Sequence, residues 1–283
     1  MRIKKVKKTK NEYVFAGGVW VRNFTNPNGK PILEENLLAQ EDVNLIINNE
    51  RSNHTMNLGF ISEEVFRFPH VVIVSDGYDF ENRQNALKQI PDKDICVIAV
   101  NKALKDWKLI YDEDPRSINF YFINNPYKEA KYNLPVKYFP CCVASTRTNF
   151  DFLVNYTGLR YLYEPTPSKG FGYQTHHKYY LDDYRNPICG ALCFAFMLGA
   201  RKISLLSCDD SFDVEKPGAI KLENGLWTYP QHLKSQEIID AQCFWLKQAG
   251  IEVSDYSSGR EYTYASYIEN EEAFKKFFID EDE

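Results

Sequence analysis

No window of this chain approaches the ~20 consecutive apolar residues that a membrane-spanning helix requires. Basic charge is not in excess either: the formal net charge is -5, which argues against broad nucleic-acid binding, since that needs a basic face. No C-x-x-C pair occurs, and no G-x-S-x-G, so neither a paired-cysteine metal site nor a serine-hydrolase elbow is expected. The protein-kinase signature set is missing. So is a G-x-G-x-x-G after the first buried strand, which removes the usual basis for a nicotinamide cofactor. There is no internal repeat and no low-complexity linker.

What is present is an ordinary globular balance, with 44% hydrophobic and 26% charged residues over 283 positions, enough for one large domain with an appendage. Aromatics reach 15%, with 19 Tyr and 19 Phe. Core packing is the commoner cause of such a share, and a stacking surface for sugar or base is the alternative. Six of the first ten residues are Lys or Arg. They read as a solvated tail or as a contact to an anionic surface. Asn11 and Glu12 interrupt any apolar run after them, so the pattern is not that of a secretory signal. The seven cysteines fall mostly in apolar stretches and suit a reducing interior better than a disulfide framework. Cys189 and Cys193 share a helix face, but two ligands without a second pair make a poor zinc site. A soluble, cytoplasmic protein is the expectation, with no nucleic-acid partner and with room for oligomerisation.

Residues 13–24 read as a strand or hairpin and 25–31 as a turn cluster. Residues 32–68 have no clear period, so 1–68 is expected to be an N-terminal extension on a main domain spanning 69–283. From His70 the pattern becomes regular. Val71–Val74, Ile95–Val100 and Phe120–Ile123 are apolar runs of the kind that a strand covered on both faces requires. Short helical stretches lie at 81–89 and 102–109, and further strands at 138–143 and 159–163. Residues 165–185 form a long aperiodic loop of the kind used as lids or binding loops. Asn186-Pro187 opens a helix that is apolar nearly all round and ends at Gly199. A buried strand, Ile203–Leu206, follows. A hairpin flap at 213–230, a helix from Pro230 to Gly250, a last strand at 251–254 and an amphipathic tail helix complete the chain. Strands alternating with helices predict an α/β fold: a Rossmann-like open, mainly parallel sheet with helices on both faces, plus the N-terminal extension.

In such sheets ligands sit outside the carboxyl ends of the strands. The residues at those ends are therefore the site candidates. Asp209 and Asp210 follow the strand at 203–206 and could hold Mg²⁺ or Mn²⁺, meet a ribose or substrate hydroxyl, or simply cap the next turn. Ser75, Asp76, Gly77 and Asp79 follow the first strand, Asn101 the second, and Asn124 with Asn125 the third. Amides there can bond a ribose or base edge, or cap a helix. Lys169, His176 and His177 lie in the long loop. Lys169 lacks the Walker spacing for a phosphate site, and at most one of the adjacent histidines can face a substrate.

Gly190-Ala191-Leu192, Ala195, Leu198-Gly199-Ala200, Ile203–Leu206 and Asp209 together resemble a signature of the 6-hydroxymethylpterin diphosphokinase-like family, which includes the motility-associated glycosyltransferases and is similar in fold to the bacterial sialyltransferases that use CMP-sialic acid. Ala99–Leu104 and Gly250–Val253 followed by Ser257-Ser258 look like two further junctions of that family. The resemblance covers about residues 70–260. It implies a nucleotide or nucleotide-sugar donor, a small-molecule or glycan acceptor, an acidic role for Asp209 and a general-base role for His232. The family's first loop has the form Gly-x-Gly-Pro-Ser-Leu and receives phosphates on backbone amides. Here Ser75–Phe80 keeps only Gly77 and adds two aspartates, so either a divalent cation lies between carboxylate and phosphate or that part of the site is lost. The expectations are a glycosyltransferase, with a diphosphokinase acting on a pterin-like molecule or a non-catalytic binding protein as alternatives.

Overall fold

The computed structural model describes residues 14–16, 19–21, 40–61, 67–90, 95–106, 118–134, 140–165, 180–181, 183, 186–259 and 261–278. The apolar runs become the centre of one sheet. Strands β4 (His70–Val74), β5 (Ile95–Val100), β6 (Phe120–Ile123), β7 (Cys141–Ser145) and β8 (Arg160–Pro165) lie side by side in chain order. On the other flank of β4 lie β10 (Lys202–Leu206), β13 (Glu252–Tyr256) and β14 (Ser266–Tyr267). Every pairing in this sheet is parallel. The direction of winding reverses at β4, which puts the switch point between β4 and β10, where an open α/β sheet leaves a crevice.

Side chains alternate across the sheet as strand geometry demands. Val71, Ile73, Ile98 and Phe122 face helices α5 (Pro187–Met197) and α6 (Pro230–Gln248) in one core. Val72, Val74, Ala99 and Tyr121 face the other way, onto α2 (Phe80–Arg83), α3 (Ala103–Asp106), α4 (Phe150–Asn155) and α7 (Glu271–Phe278). The Rossmann-like reading therefore holds, helices on both faces included.

The packing of α5 explains its composition. Ile188 through Ala195 are all buried. A Cβ on Gly190 would stand 2.6 Å from the Phe122 ring, so the bare glycine is what lets helix and sheet approach. Both long helices stop in the same way. Gly199 and Gly250 have φ of 80° and 83°, and the bonds Ala200 N–H to Ala195 O (3.2 Å) and Ile251 N–H to Leu246 O (3.0 Å) close Schellman caps.

The N-terminal part differs from expectation. Strands β1 (Val14–Ala16) and β2 (Val19–Val21) form the predicted hairpin. However, α1 (Gln40–His54) packs against α4, and β3 (Gly59–Phe60) pairs with β8, as an edge strand of the main sheet. The short β9 (Tyr180–Leu181) pairs with the same β8 farther along. A two-residue strand carries no periodicity, which is why residues 59–60 looked like part of an extension. The predicted flap is a hairpin of β11 (Ile220–Lys221) and β12 (Trp227–Thr228). None of the seven cysteines is in a disulfide, and six are buried.

Candidate functional site

A cavity of about 540 Å³ opens at the carboxyl ends of the central strands. Ser75 and Asp76 reach it from the end of β4, Asn101 from β5, Asn124 to Tyr127 from β6, and Arg147 from β7. Asp210 enters from β10, and the first turns of α5 (Asn186, Pro187) and α6 (His232, Ser235) close the far side. Of the residues singled out in the sequence, Ser75, Asp76, Asn101, Asn124, Asn125, Asp210 and His232 thus share one wall system. Lys169, His176 and His177 lie outside the described residues.

Gly77 and Asp209 do not line the cavity. Asp209 is 0% exposed. Its Oδ1 accepts from Ser211 N–H (2.9 Å) and Ser211 Oγ–H (2.7 Å), and its Oδ2 accepts from Gly259 N–H (2.9 Å). Gln236 donates to its backbone carbonyl. Gly77 is part of the same packing: its N–H is spent on Ser207 O (2.9 Å), and a Cβ there would stand 2.5 Å from that oxygen. The Tyr78 N–H points at Asp209 (3.4 Å). The amides that would receive a phosphate in a glycine-rich loop are thus used within the fold. Asp79 is likewise internal, bonded by Arg83, Ser258 and Ser207. Both oxygens of Asp209 being taken, it does not fit a metal-ligand role. Among the described residues no group of three or more His, Cys, Asp or Glu side chains is arranged to hold a metal ion.

Asp210 is the carboxylate that turns outward. Backbone geometry decides this: Ser207 and Asp210 adopt φ of 52° and 51°, left-handed values that a non-glycine residue takes at some cost. Its carboxylate accepts from Asn186 Nδ2 (3.4 Å), and its carbonyl accepts from Thr228 Oγ (2.9 Å). Burial raises the Asp210 pKa to about 6; His232 draws it down, Asp76 and Asp209 push it up, and the Asn186 bond lowers it. His232 sits in the first turn of α6, with Nδ1 3.3 Å from the same Asp210 carbonyl. A carbonyl can only accept, so Nδ1 carries the proton in that contact and Nε2 is the basic nitrogen of the neutral ring.

Sequence reasoning missed Arg147, Asp183 and the role of α1. Arg147 Nε donates to Glu50 Oε1 on α1 at 2.9 Å, with both side chains under a tenth exposed. Asn53 Nδ2 donates to Thr146 O (2.8 Å) and Thr148 O (2.7 Å), and Asn49 Nδ2 to Pro126 O (2.9 Å). Three polar residues one face apart on α1 thus clamp the loops after β6 and β7, and Ile46 of the same helix lines the cavity. Beside them His54 Nε2 is 3.1 Å from Glu164 Oε1. Burial, then Glu50, raises the Glu164 pKa to about 7. Asp183 accepts from Tyr163 OH at 2.7 Å. The only signal for Arg147 was Ser145–Asn149, a run of short polar residues at a strand end.

The strand order and the crevice define a Rossmann-like fold whose candidate site is built from strand ends. No protein-family model matches the sequence, and no curated protein matches it. Among solved structures, the MAf glycosyltransferase from Magnetospirillum magneticum AMB-1 is similar in fold, with a TM-score of 0.58 and 11% identity over 83% of this chain and 40% of that one. The chain therefore spans less than half the length of that protein. Among the described residues no helix is long and apolar enough to cross a membrane.

Proposed function

We propose that this protein is a transferase, and within that class a glycosyltransferase that takes a nucleotide-sugar donor. The observation that carries the reading is the pairing of His232 with Asp210 on the wall of an amide-lined cavity at the sheet's switch point. With Nδ1 held by the Asp210 carbonyl, Nε2 of His232 accepts the proton of an acceptor hydroxyl as that oxygen attacks the donor carbon. Asp210, next to it, favours the imidazolium that results. Asn101, Asn124 and Asn125 offer uncharged donors and acceptors to ribose, base or sugar hydroxyls. Arg147 and the first turns of α5 and α6 are the positive elements facing the departing phosphate. Among the described residues the outward carboxylates are too few to form a metal site by themselves. The similarity in fold to a glycosyltransferase supports this reading at the level of the scaffold. A pterin-like diphosphokinase gains nothing from the internal use of the Gly77 amides.

That same loop favours a second reading, a binding protein that kept the sheet without the phosphate cradle. Thermal denaturation with UDP-, GDP- and CMP-sugars, ATP and CTP, with and without Mg²⁺ or Mn²⁺, separates the two. A ligand that binds the native state well above its Kd raises the midpoint. A shift with a nucleotide sugar, together with transfer that slows by about 10² in His232→Ala while the shift persists, supports the enzyme. No shift with any nucleotide at millimolar concentration rejects it.

A further inference from the structure

An imidazole works as a base when one ring nitrogen is held and the other is presented. The hold on His232 is thin. Its Nδ1 meets the Asp210 carbonyl at 3.3 Å, longer than the usual range of about 2.7–3.2 Å for an N–H···O bond. The residue is half-buried at the cavity wall. One long bond by itself lets the ring turn about Cβ–Cγ. That turn puts Cδ2 at the carbonyl and carries Nε2 to a different place.

The hairpin flap supplies what the single bond lacks. Three consecutive residues at the end of β12 converge on the pair. Trp227 exchanges both backbone bonds with Phe212, at 2.9 and 2.8 Å, which sets the register of the flap. Thr228, 0% exposed, donates its hydroxyl to the Asp210 carbonyl at 2.9 Å. A carbonyl oxygen has two lone pairs. Thr228 and His232 take one each, so the hydroxyl fixes where that oxygen points when the imidazole meets it. Asp210 is left-handed, with φ of 51°, and such a conformation persists only where its surroundings over-determine it. Tyr229 sets its ring at 90° to His232, with centroids 5.4 Å apart, and its carbonyl accepts from the His232 N–H at 2.9 Å. That is a packed edge-to-face contact, so a turn of the imidazole displaces Tyr229 or forfeits the contact. Tyr229 packs in turn against Phe212, with centroids 5.3 Å apart, and Lys216 Nζ lies 4.1 Å over the Phe212 ring. The tip of the flap is fastened as well. Asn224 donates to the Gly259 carbonyl, and the Gly259 N–H is the one that Asp209 accepts at 2.9 Å. Both aspartates are thus tied to the flap, Asp210 directly and Asp209 through Gly259.

We propose that Thr228 and Tyr229 are positioning residues for His232, holding its ring with Nδ1 on the Asp210 carbonyl and Nε2 presented to the cavity. The flap is then part of the site, and its register with Phe212 sets the orientation of the base. The proposal rests on the transferase reading for the word base, and on the ring geometry alone for the orientation.

The test reads the His232 tautomer in the full chain. Ring nitrogen chemical shifts, at a pH where the ring is neutral, report which nitrogen carries the proton, and the His232 signals are identified by their loss in His232→Gln. The parent is expected to carry it on Nδ1. Tyr229→Leu is expected to give a mixture of the two tautomers. It should also lower kcat for nucleotide-sugar transfer by about threefold to tenfold at unchanged donor KM, the range that an edge-to-face ring contact supplies. Tyr229→Phe keeps the ring and is expected to keep the proton on Nδ1. Thr228→Val removes only the hydroxyl and should shift part of the population to Nε2–H. Phe212→Leu withdraws the support from Tyr229 without touching His232, and gives the same mixture where Tyr229→Leu does not fold. A role in packing alone would move melting temperatures and leave the tautomer as it is. A proton that stays on Nδ1 in both Tyr229→Leu and Phe212→Leu overturns the proposal. So does a parent that carries it on Nε2, and so does a Tyr229→Phe variant that behaves like Tyr229→Leu. The two readings fail separately. The expected tautomer changes without transfer from any nucleotide sugar reject the transferase alone. Transfer that slows in His232→Ala, with tautomer and rate indifferent to Tyr229→Leu, rejects the positioning alone.

Discussion

Replacing Asp255 by asparagine should stabilise the protein, and by an amount that depends on pH. Asp255 lies on β13 at 1% exposure, on the face packed toward Cys208, Cys243 and Tyr262. Burial lifts its pKa from 3.8 to about 7, against smaller opposing contributions from the Ser257 hydroxyl and the Arg83 guanidinium. The native state therefore holds this proton well above the pH at which the unfolded chain releases it. Stability contributed by the protonated group is complete below the unfolded pKa and declines as pH rises toward the native value. Three pKa units correspond to about 4 kcal/mol by pH 8, of which roughly 1.5 kcal/mol is already lost at pH 5. Asparagine fills the same volume and has no proton to lose. The stability difference between Asp255→Asn and the parent should thus grow by about 2–3 kcal/mol between pH 5 and pH 8. Urea denaturation of both proteins at each pH measures it. Glu164 and Asp210 also titrate in this window, but they are common to both proteins and cancel. Parallel stability curves would refute the reasoning, since they would mean that Asp255 is ionised in the native state at pH 5.

Gly77→Ala should destabilise by about 1–3 kcal/mol, because the new methyl meets a backbone oxygen that has nowhere to go; a chemical melt reads this directly. Asn53→Ala leaves two buried carbonyls without a donor and should cost about 1–3 kcal/mol. Glu50→Gln should cost less than Glu50→Ala, because the amide oxygen still accepts from Arg147; equal losses in urea would show that the pair contributes by charge alone. His232→Gln, which cannot act as a base, should match His232→Ala in transfer rate and match the parent in stability.

The centre of the fold was legible because its strands are buried on both faces, and runs such as Val71–Val74 and Ile95–Val100 have no other comfortable environment. The helix after Asn186 was legible from its cap, its proline and its apolar girth. The edge strands were not: Gly59–Phe60, Tyr180–Leu181 and Ser266–Tyr267 are two residues each, too short for any period to develop. The site was partly legible for a related reason. Polar residues at strand ends fall on one rim by topology, so Asn101, Asn124 and Asp210 were findable. Which of two adjacent aspartates turns outward depends on the left-handed twist at Ser207 and Asp210, and composition does not encode that. Arg147 and Asp183 have no motif around them. They become site residues only because α1 and the chain before α5 return to the rim.

The pairing of Gly59–Phe60 with β8 bears on how the protein can be divided. A fragment beginning near residue 67 would carry every long strand and yet uncover β8 at Tyr161 and Leu162, leaving amides and carbonyls there open for another copy to occupy. It would also strip Asn49, Glu50 and Asn53 from the loops that carry Arg147. Such a truncation should yield aggregates rather than a minimal enzyme, and the leading segment is better regarded as the seam that closes the sheet.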